Sequence, residues 1–330
     1  MLHVTSRQFV CSSCTRYYYE RFQFAEPSET VTKRYAESIF KLCTGIELQH
    51  IVVLEDLCWQ TVNRIVQKYG AKQIERRSAY AHVKRLGIDE IALKKGQKNY
   101  VAVVVDLDTG EVLDLLKDRS KSFLISYFQA KGEAFCHQIV LFCSDLWEGY
   151  LASAREVFPN AIIVTDRFHF FAKLQQAVDT CRRYYRRKYA KDTDLLHLKW
   201  ILLKNTTALT KREKSILLRL FSKPEYALLK YTYEAKNKFR IILEEDISRV
   251  EAEKKLHNWV EEIAVLPNRF LTKFITFYTR WKEYILNYFE GRYHTSLIEG
   301  INNKIKSIKR RAFGFSNFEF FKIRVITAFM

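Results

Sequence analysis

The sequence predicts an α/β protein: a mixed-sheet core with helical blocks before and after its strands. Three observations carry this. Between residues 85 and 168 the apolar residues run in short blocks of strand length, broken by turn signals. On either side, at 31–75 and 169–290, they recur at helical spacing. Only 10 Gly and 4 Pro occur in 330 residues, which favours long helices and few open loops.

Residues 1–30 contain CSSC, Cys11 to Cys14, and a C-x2-C pair is half of a zinc site. The next cysteines, Cys43 and Cys58, lie in helical patterns, so the segment reads as a partial zinc-binding module with an incomplete Zn2+ site. Residues 31–75 read as three short helices, the arrangement of a helix-turn-helix whose last helix enters the major groove. Thr61, Arg64, Gln67 and Lys68 are expected on one exposed side of that helix. The plain alternative is a three-helix packing unit.

From 85 the period changes. Strands are expected at about 87–94, 99–107 and 111–116, with a polar turn at Lys95–Lys98 and a hairpin turn at Asp108–Gly110. A helix (SKSFLISYFQAKG), a buried strand (HQIVLFCSD), a helix (LWEGYLASAREVF) and a buried strand (NAIIVTD) follow. The order β-β-β-α-β-α-β is that of a ribonuclease H-like core. Residues 76–168 form its first part, 169–290 a large all-helical insertion, and 291–330 its last helix and tail. The cluster CRRYYRRKYAK in the insertion is a solvated face or a phosphate track.

The last expected helix, YHTSLIEGINNKIKSIKRR, has a buried stripe of Ile298, Ile301, Ile305 and Ile308. At about 100° per residue, Glu299, Asn303, Lys306 and Arg310 share the opposite side. That is either a solvated face with Glu–Lys pairs or a carboxylate set among phosphate-seeking cations.

Asp89 lies in the first strand and Asp145 just after the fourth, and these strands are neighbours in a sheet of this order. Carboxylates among apolar residues need a partner or a cation, and two that converge repel unless a cation lies between them. Magnesium, an oxygen-seeking ion that keeps waters and takes substrate phosphate, suits such a pair, with Glu299 as a third ligand. Asp145 and Asp166 could instead each cap the helix that follows. Asp106 and Asp108 read as turn residues, and Glu90 as pointing to the other sheet face.

The formal charge of +18 favours nucleic acid or an anionic surface as partner. No run of about 20 apolar residues exists, so no spanning helix is expected. The N-terminus has no apolar signal core and the 7 Cys are scattered, which reads as a cytoplasmic, nucleoid-associated protein with reduced thiols.

GIDE, DLDTGEVLDLL, SDLWEGYLASAREVFPNAIIVTDRFHFF and the run from Tyr293 to Val325 together resemble the ISL-three family of bacterial and archaeal insertion-sequence transposases, within the Asp-Asp-Glu group. The resemblance covers roughly 30–330, and RQFVCSSC resembles the second half of that family's zinc module. It implies a ribonuclease H-like core whose catalytic, Mg2+- or Mn2+-binding triad is Asp89, Asp145 and Glu299. Asp166 and His169 fall in a family-typical motif that shapes the site or binds a DNA end, with Asn303 a further secondary position. The implied chemistry is metal-dependent cleavage of double-stranded DNA at terminal inverted repeats and strand transfer into target DNA, by a homo-oligomer. Lys304, Lys306, Lys309, Arg310 and Arg311 would hold the DNA backbone. The competing readings are a non-catalytic DNA-binding regulator, a nuclease that cuts without joining, and a decayed transposase with a broken zinc module.

Overall fold

The computed structural model describes residues 4–26, 29–77, 80–94, 99–266, 268–292, 296–312, 315 and 317–329. The expected turn at Lys95–Lys98 and the stretch Tyr293–Thr295 lie outside the described residues. In chain order the elements begin with β1 (Gln8–Val10), β2 (Tyr17–Tyr19), α1 (Lys33–Gly45), α2 (Leu48–Leu54) and α3 (Trp59–Arg77). Then come β3 (Arg85–Lys94), β4 (Asn99–Asp106), β5 (Val112–Leu116), α4 (Lys121–Gln129), α5 (Glu133–Gln138), β6 (Leu141–Ser144), α6 (Glu148–Val157) and β7 (Ile162–Thr165). A helical series follows: α7 (Arg167–Lys188), α8 (Leu198–Leu203), α9 (Lys211–Phe221), α10 (Ala227–Glu244), α11 (Arg249–Val265) and α12 (Arg269–Asn287). The chain ends in α13 (Ser296–Arg311) and α14 (Phe318–Thr327).

β3 to β7 form a five-stranded sheet in the order β5-β4-β3-β6-β7. β3 pairs antiparallel with β4 and parallel with β6, and β6 pairs parallel with β7, so the sheet is mixed. The expected strands all form, with one difference: His137 and Gln138 are helical, and the strand starts at Leu141. The Gln138 amide donates to the Val83 carbonyl (2.9 Å), fixing the end of α5 beside the entry to β3.

The chain divides into two compact units. One comprises Met1–Ala81, Glu111–Leu115 and Ile301–Met330. In it, Thr32 caps α1 by accepting from the Tyr35 N–H (3.2 Å). Ala36, Ile39, Phe40 and Cys43 recur at three- and four-residue steps and pack with Ile51, Val62, Ile65 and Val66. α14 closes this core with Phe320 and Ile323, and Arg324 reaches back to the carbonyls of Cys43 and Ile46 at the end of α1.

The second unit comprises His82–Gly110 and Leu116–Gly300. It holds β3, β4, β6 and β7 and the helices α4 to α12. Among the helices, Val178, Cys181, Leu202, Leu220 and Leu229 form a buried apolar core. The buried Lys236 ammonium donates to the carbonyls of Leu202 (2.6 Å) and Lys204 (3.3 Å), satisfying the end of α8. Burial lowers its pKa to about 7. Among the described residues, no helix is long and apolar enough to cross a membrane.

Candidate active site

Strand register places the acidic residues. Ile88 on β3 pairs with Ser144 on β6, and Ser144 pairs with Thr165 on β7. Asp89, Asp145 and Asp166 are the residues immediately after that row. Neighbouring strands lie about 4.8 Å apart, so the three aspartates form a short row along one edge of the sheet. All three line a cleft of ≈ 430 Å³, together with Ile88, Phe168, His169 and Glu299 from the first turn of α13. The sequence-expected set Asp89, Asp145 and Glu299 is therefore brought to one cleft, with the secondary pair Asp166 and His169 beside it.

Gly87 explains how α13 comes so close to β3. A Cβ there would stand 2.6 Å from Ile298 Cδ1 and 2.7 Å from Leu107 Cδ2. A side chain there would force Ile298, the neighbour of Glu299, or Leu107 to shift away from the strand that carries Asp89.

The carboxylates differ in how they are held. Asp89 Oδ1 accepts from the Glu90 N–H (2.7 Å). Asp166 is buried and caps α7, accepting from the Phe168 N–H (2.9 Å). Asp145 does not cap: the N-cap of α6 is Trp147, which has no side-chain cap bond. The capping role left open for Asp145 is thus corrected, and that for Asp166 holds. Asp145 Oδ1 is instead buried with no hydrogen-bond partner. Burial pushes its carboxyl pKa up, His169 opposes this, Asp89 adds to it, and Arg119 opposes it. An orphaned anionic oxygen beside a second carboxylate is unfavourable without a cation.

Sequence reasoning did not find Arg119. Its guanidinium lies 4.9 Å from the ring centroids of both Tyr100 and Trp147 and pairs with Glu90. It ties the residue after Asp89 to the residue two past Asp145. It sits in a polar loop with no pattern of its own, so nothing in the sequence marked it. As expected, Asp106 is a turn residue, its Oδ1 accepting from the Asp108 N–H (2.9 Å) and its Oδ2 from the Thr109 hydroxyl (2.9 Å).

In α13, Ile298, Ile301 and Ile305 are buried and Ile308 half-buried, while Glu299, Asn303, Lys306 and Arg310 are exposed. Lys304 donates to the Ala328 carbonyl and lies 4.2 Å from the Phe329 ring centroid. Lys309 is half-buried, and burial lowers its pKa, with Lys306 and Arg310 adding to the effect. Arg311 is exposed, 3.9 Å from Glu47. In α3, Arg64, Gln67 and Lys68 are exposed, but Thr61 is not: it is buried, its hydroxyl 3.1 Å from the Cys58 thiol. The expected exposure of Thr61 is corrected, because Thr61 shares the inner face with Val62, Ile65 and Val66. Arg64 pairs with Glu29 (2.8 Å), and Lys68 lies 3.6 Å from Glu29 and 3.9 Å from Glu26.

Cys11 and Cys14 lie in the turn between β1 and β2. The Ser13 hydroxyl, 3.3 Å from Cys11 Sγ, is the largest cause holding that thiol down to about 7. The pair supplies two of the four ligands a structural zinc takes, so these residues do not by themselves fit the ion. Among the described residues no three His, Cys, Asp or Glu side chains form a ready-made metal cage. Magnesium does not need one, since it binds through one or two carboxylates and fills its shell with water and phosphate. The orphaned oxygen of Asp145 fits that mode.

A family model of ISL3-type DDE proteins, described as "Transposase", matches residues 86–325. The chain is similar to the transposase for insertion sequence element IS1001 of Bordetella parapertussis, 26% identical over 344 residues, covering 100% of this chain and 81% of the relative. It is also similar to the transposase for insertion sequence element IS1557 of Mycobacterium tuberculosis, 30% identical over 152 residues, covering 46% of this chain and 34% of the relative.

Proposed function

The chain belongs to the ISL3 family of DDE transposases, and we propose that it cuts DNA at the ends of an insertion sequence and joins the freed ends to target DNA. The observation that carries this reading is the cleft in which Asp89, Asp145 and Glu299 meet, with the Asp145 Oδ1 buried and unpartnered. The mixed sheet is read as a ribonuclease H-like core, and α7 to α12 as its helical insertion.

Asp89 and Asp145, on adjacent strands, would hold a magnesium or manganese ion, and Glu299 on α13 would complete the set. Such an ion supplies Lewis-acid stabilisation of a phosphodiester and a water of lowered pKa. The rest is done by the chain. Asp166 fixes the turn that carries His169, and His169 faces the cleft where a DNA phosphate would lie. Lys306 and Arg310, on the α13 face shared with Glu299 and Asn303, would contact the DNA backbone, and Lys304, Lys309 and Arg311 add positive charge along the same helix. The helices α1 to α3 are read as a helix-turn-helix, with Arg64, Gln67 and Lys68 toward the major groove. Joining two element ends calls for at least two copies of the chain on DNA.

The test is a reaction of purified protein with DNA carrying the gene's own flanking sequences, with magnesium or manganese. The expected outcome is nicks leaving 3′-hydroxyls at the element boundary, then joined products, both lost in Asp145→Asn while DNA binding stays. Binding without cleavage by the wild-type chain would favour a regulator or a decayed element. Cleavage without joined products would favour a plain nuclease.

A further inference from the structure

A hollow in the unit that holds α1 to α3 shares only Gln67 and Arg311 with the DNA-contacting residues proposed above. It encloses ≈ 650 Å³ between the α1–α2 turn, α3, the end of α13, and α14. Trp59, Asn63 and Gln67 line it from α3, at successive four-residue steps. Arg311 and Arg324 line it from the opposite side.

Each group has unused capacity suited to a nucleotide. The Trp59 indole is 43% exposed and lines this concave site. Asn63 Oδ1 accepts from Gln67 Nε2 (3.2 Å), which leaves the Asn63 amide N–H groups and the Gln67 carbonyl side by side as donor and acceptor. That pair matches the edge of a base. Arg324 is a buried cation, 8% exposed, that donates to two backbone carbonyls and meets no carboxylate among the described residues. Arg311 adds a second cation, partly offset by Glu47. A buried guanidinium without a counter-ion favours an anion in the hollow.

The shape decides which nucleic acid fits. A duplex is read by a convex helix lying in its major groove. These residues line a concavity, which stacked base pairs cannot enter. We propose that this hollow is a binding site for an unpaired nucleotide of DNA, its base on Trp59 and against Asn63 and Gln67, and its phosphate toward Arg311 and Arg324. The proposal rests on the DNA-processing reading and adds an unpaired nucleotide to the DNA that the chain takes. Arg64 and Lys68 are not among the residues that line the hollow; they line a second depression, which Asn63 and Gln67 also border.

The experiment compares binding of a blunt duplex with the same duplex carrying a four-nucleotide unpaired overhang, by fluorescence anisotropy with the full chain. The wild-type protein should prefer the overhang by about tenfold, the order that stacking one base on an aromatic ring gives. Trp59→Ala should abolish that preference and leave blunt-duplex binding unchanged, while Trp59→Phe should retain most of it. Asn63→Ala should reduce the preference without changing the melting temperature, and it stands as the test if Trp59→Ala does not fold. A wild-type chain without preference, variants that keep it, or equal loss on both probes would overturn the proposal. Magnesium-dependent cleavage, read on the same preparation, reports separately on the transposase reading, since a chain that never cuts can still show or lack the preference.

Discussion

At the scale of single residues, Asp145 and Asp166 make the useful contrast. Each follows a buried strand and precedes a helix, and each was open to a capping role in the sequence. Asp166 caps α7, whereas Asp145 keeps one buried oxygen unpartnered. The distinction was not legible because it depends on whether the helix starts one residue or three residues later. Raising a carboxyl pKa on folding means the folded state binds more protons between the unfolded and folded values. Stability is therefore lost as pH rises through that window, and the penalty is full above the folded value. Asp145→Asn removes the charge. It should raise the melting temperature of the metal-free protein at neutral pH, on the order of the 1–3 kcal/mol that an unsatisfied buried group costs. The gain over wild type should shrink toward pH 4. Thermal melts at several pH values, with and without magnesium, check this; magnesium should raise the wild-type melting temperature and not the variant's.

At the scale of elements, α13 was the most legible part of the chain. Its isoleucine stripe and its polar face were read from spacing, and both appear in the structure. What spacing could not show is how close α13 comes to β3, because that depends on a side chain missing from a different element. Gly87 supplies the gap that Ile298 fills. Gly87→Ala should overpack this contact, lowering stability by about 1–3 kcal/mol. It should also slow cleavage more than DNA binding, because it displaces the turn that carries Glu299. Denaturant melts beside nicking rates would show both effects; an unchanged nicking rate would mean that Glu299 is placed by something else. In α3, Thr61 was expected on the exposed side and is buried. A helix face has edges, and Thr61 falls on the inner side of this one, beside the buried Val62 and Ile65.

At the scale of the whole molecule, the charge of +18 and the order of strands and helices were plain in the sequence. The division into two units was not, since one unit takes residues from both ends of the chain. The C-terminal helix α14 packs on α1 and α3, a long-range pairing that no local pattern encodes. Of the basic residues, Lys306 and Arg310 stand exposed on the Glu299 face, while Lys304 is drawn to the Ala328 carbonyl. Replacing both Lys306 and Arg310 by Ala should weaken DNA binding across sequences. It should also reduce the salt slope of log K by nearly two, at about 0.9 per phosphate contact. Binding isotherms at several salt concentrations give that slope directly.

In the proposed reaction Asp89, Asp145 and Glu299 hold one cation site. The most direct measurement is iron-mediated cleavage of the polypeptide, with Fe2+ and ascorbate replacing magnesium. Backbone breaks are expected near residues 89, 145 and 299, suppressed by excess magnesium and absent in Asp145→Asn. Breaks that avoid these three positions, or that persist in the variant, would contradict that shared site.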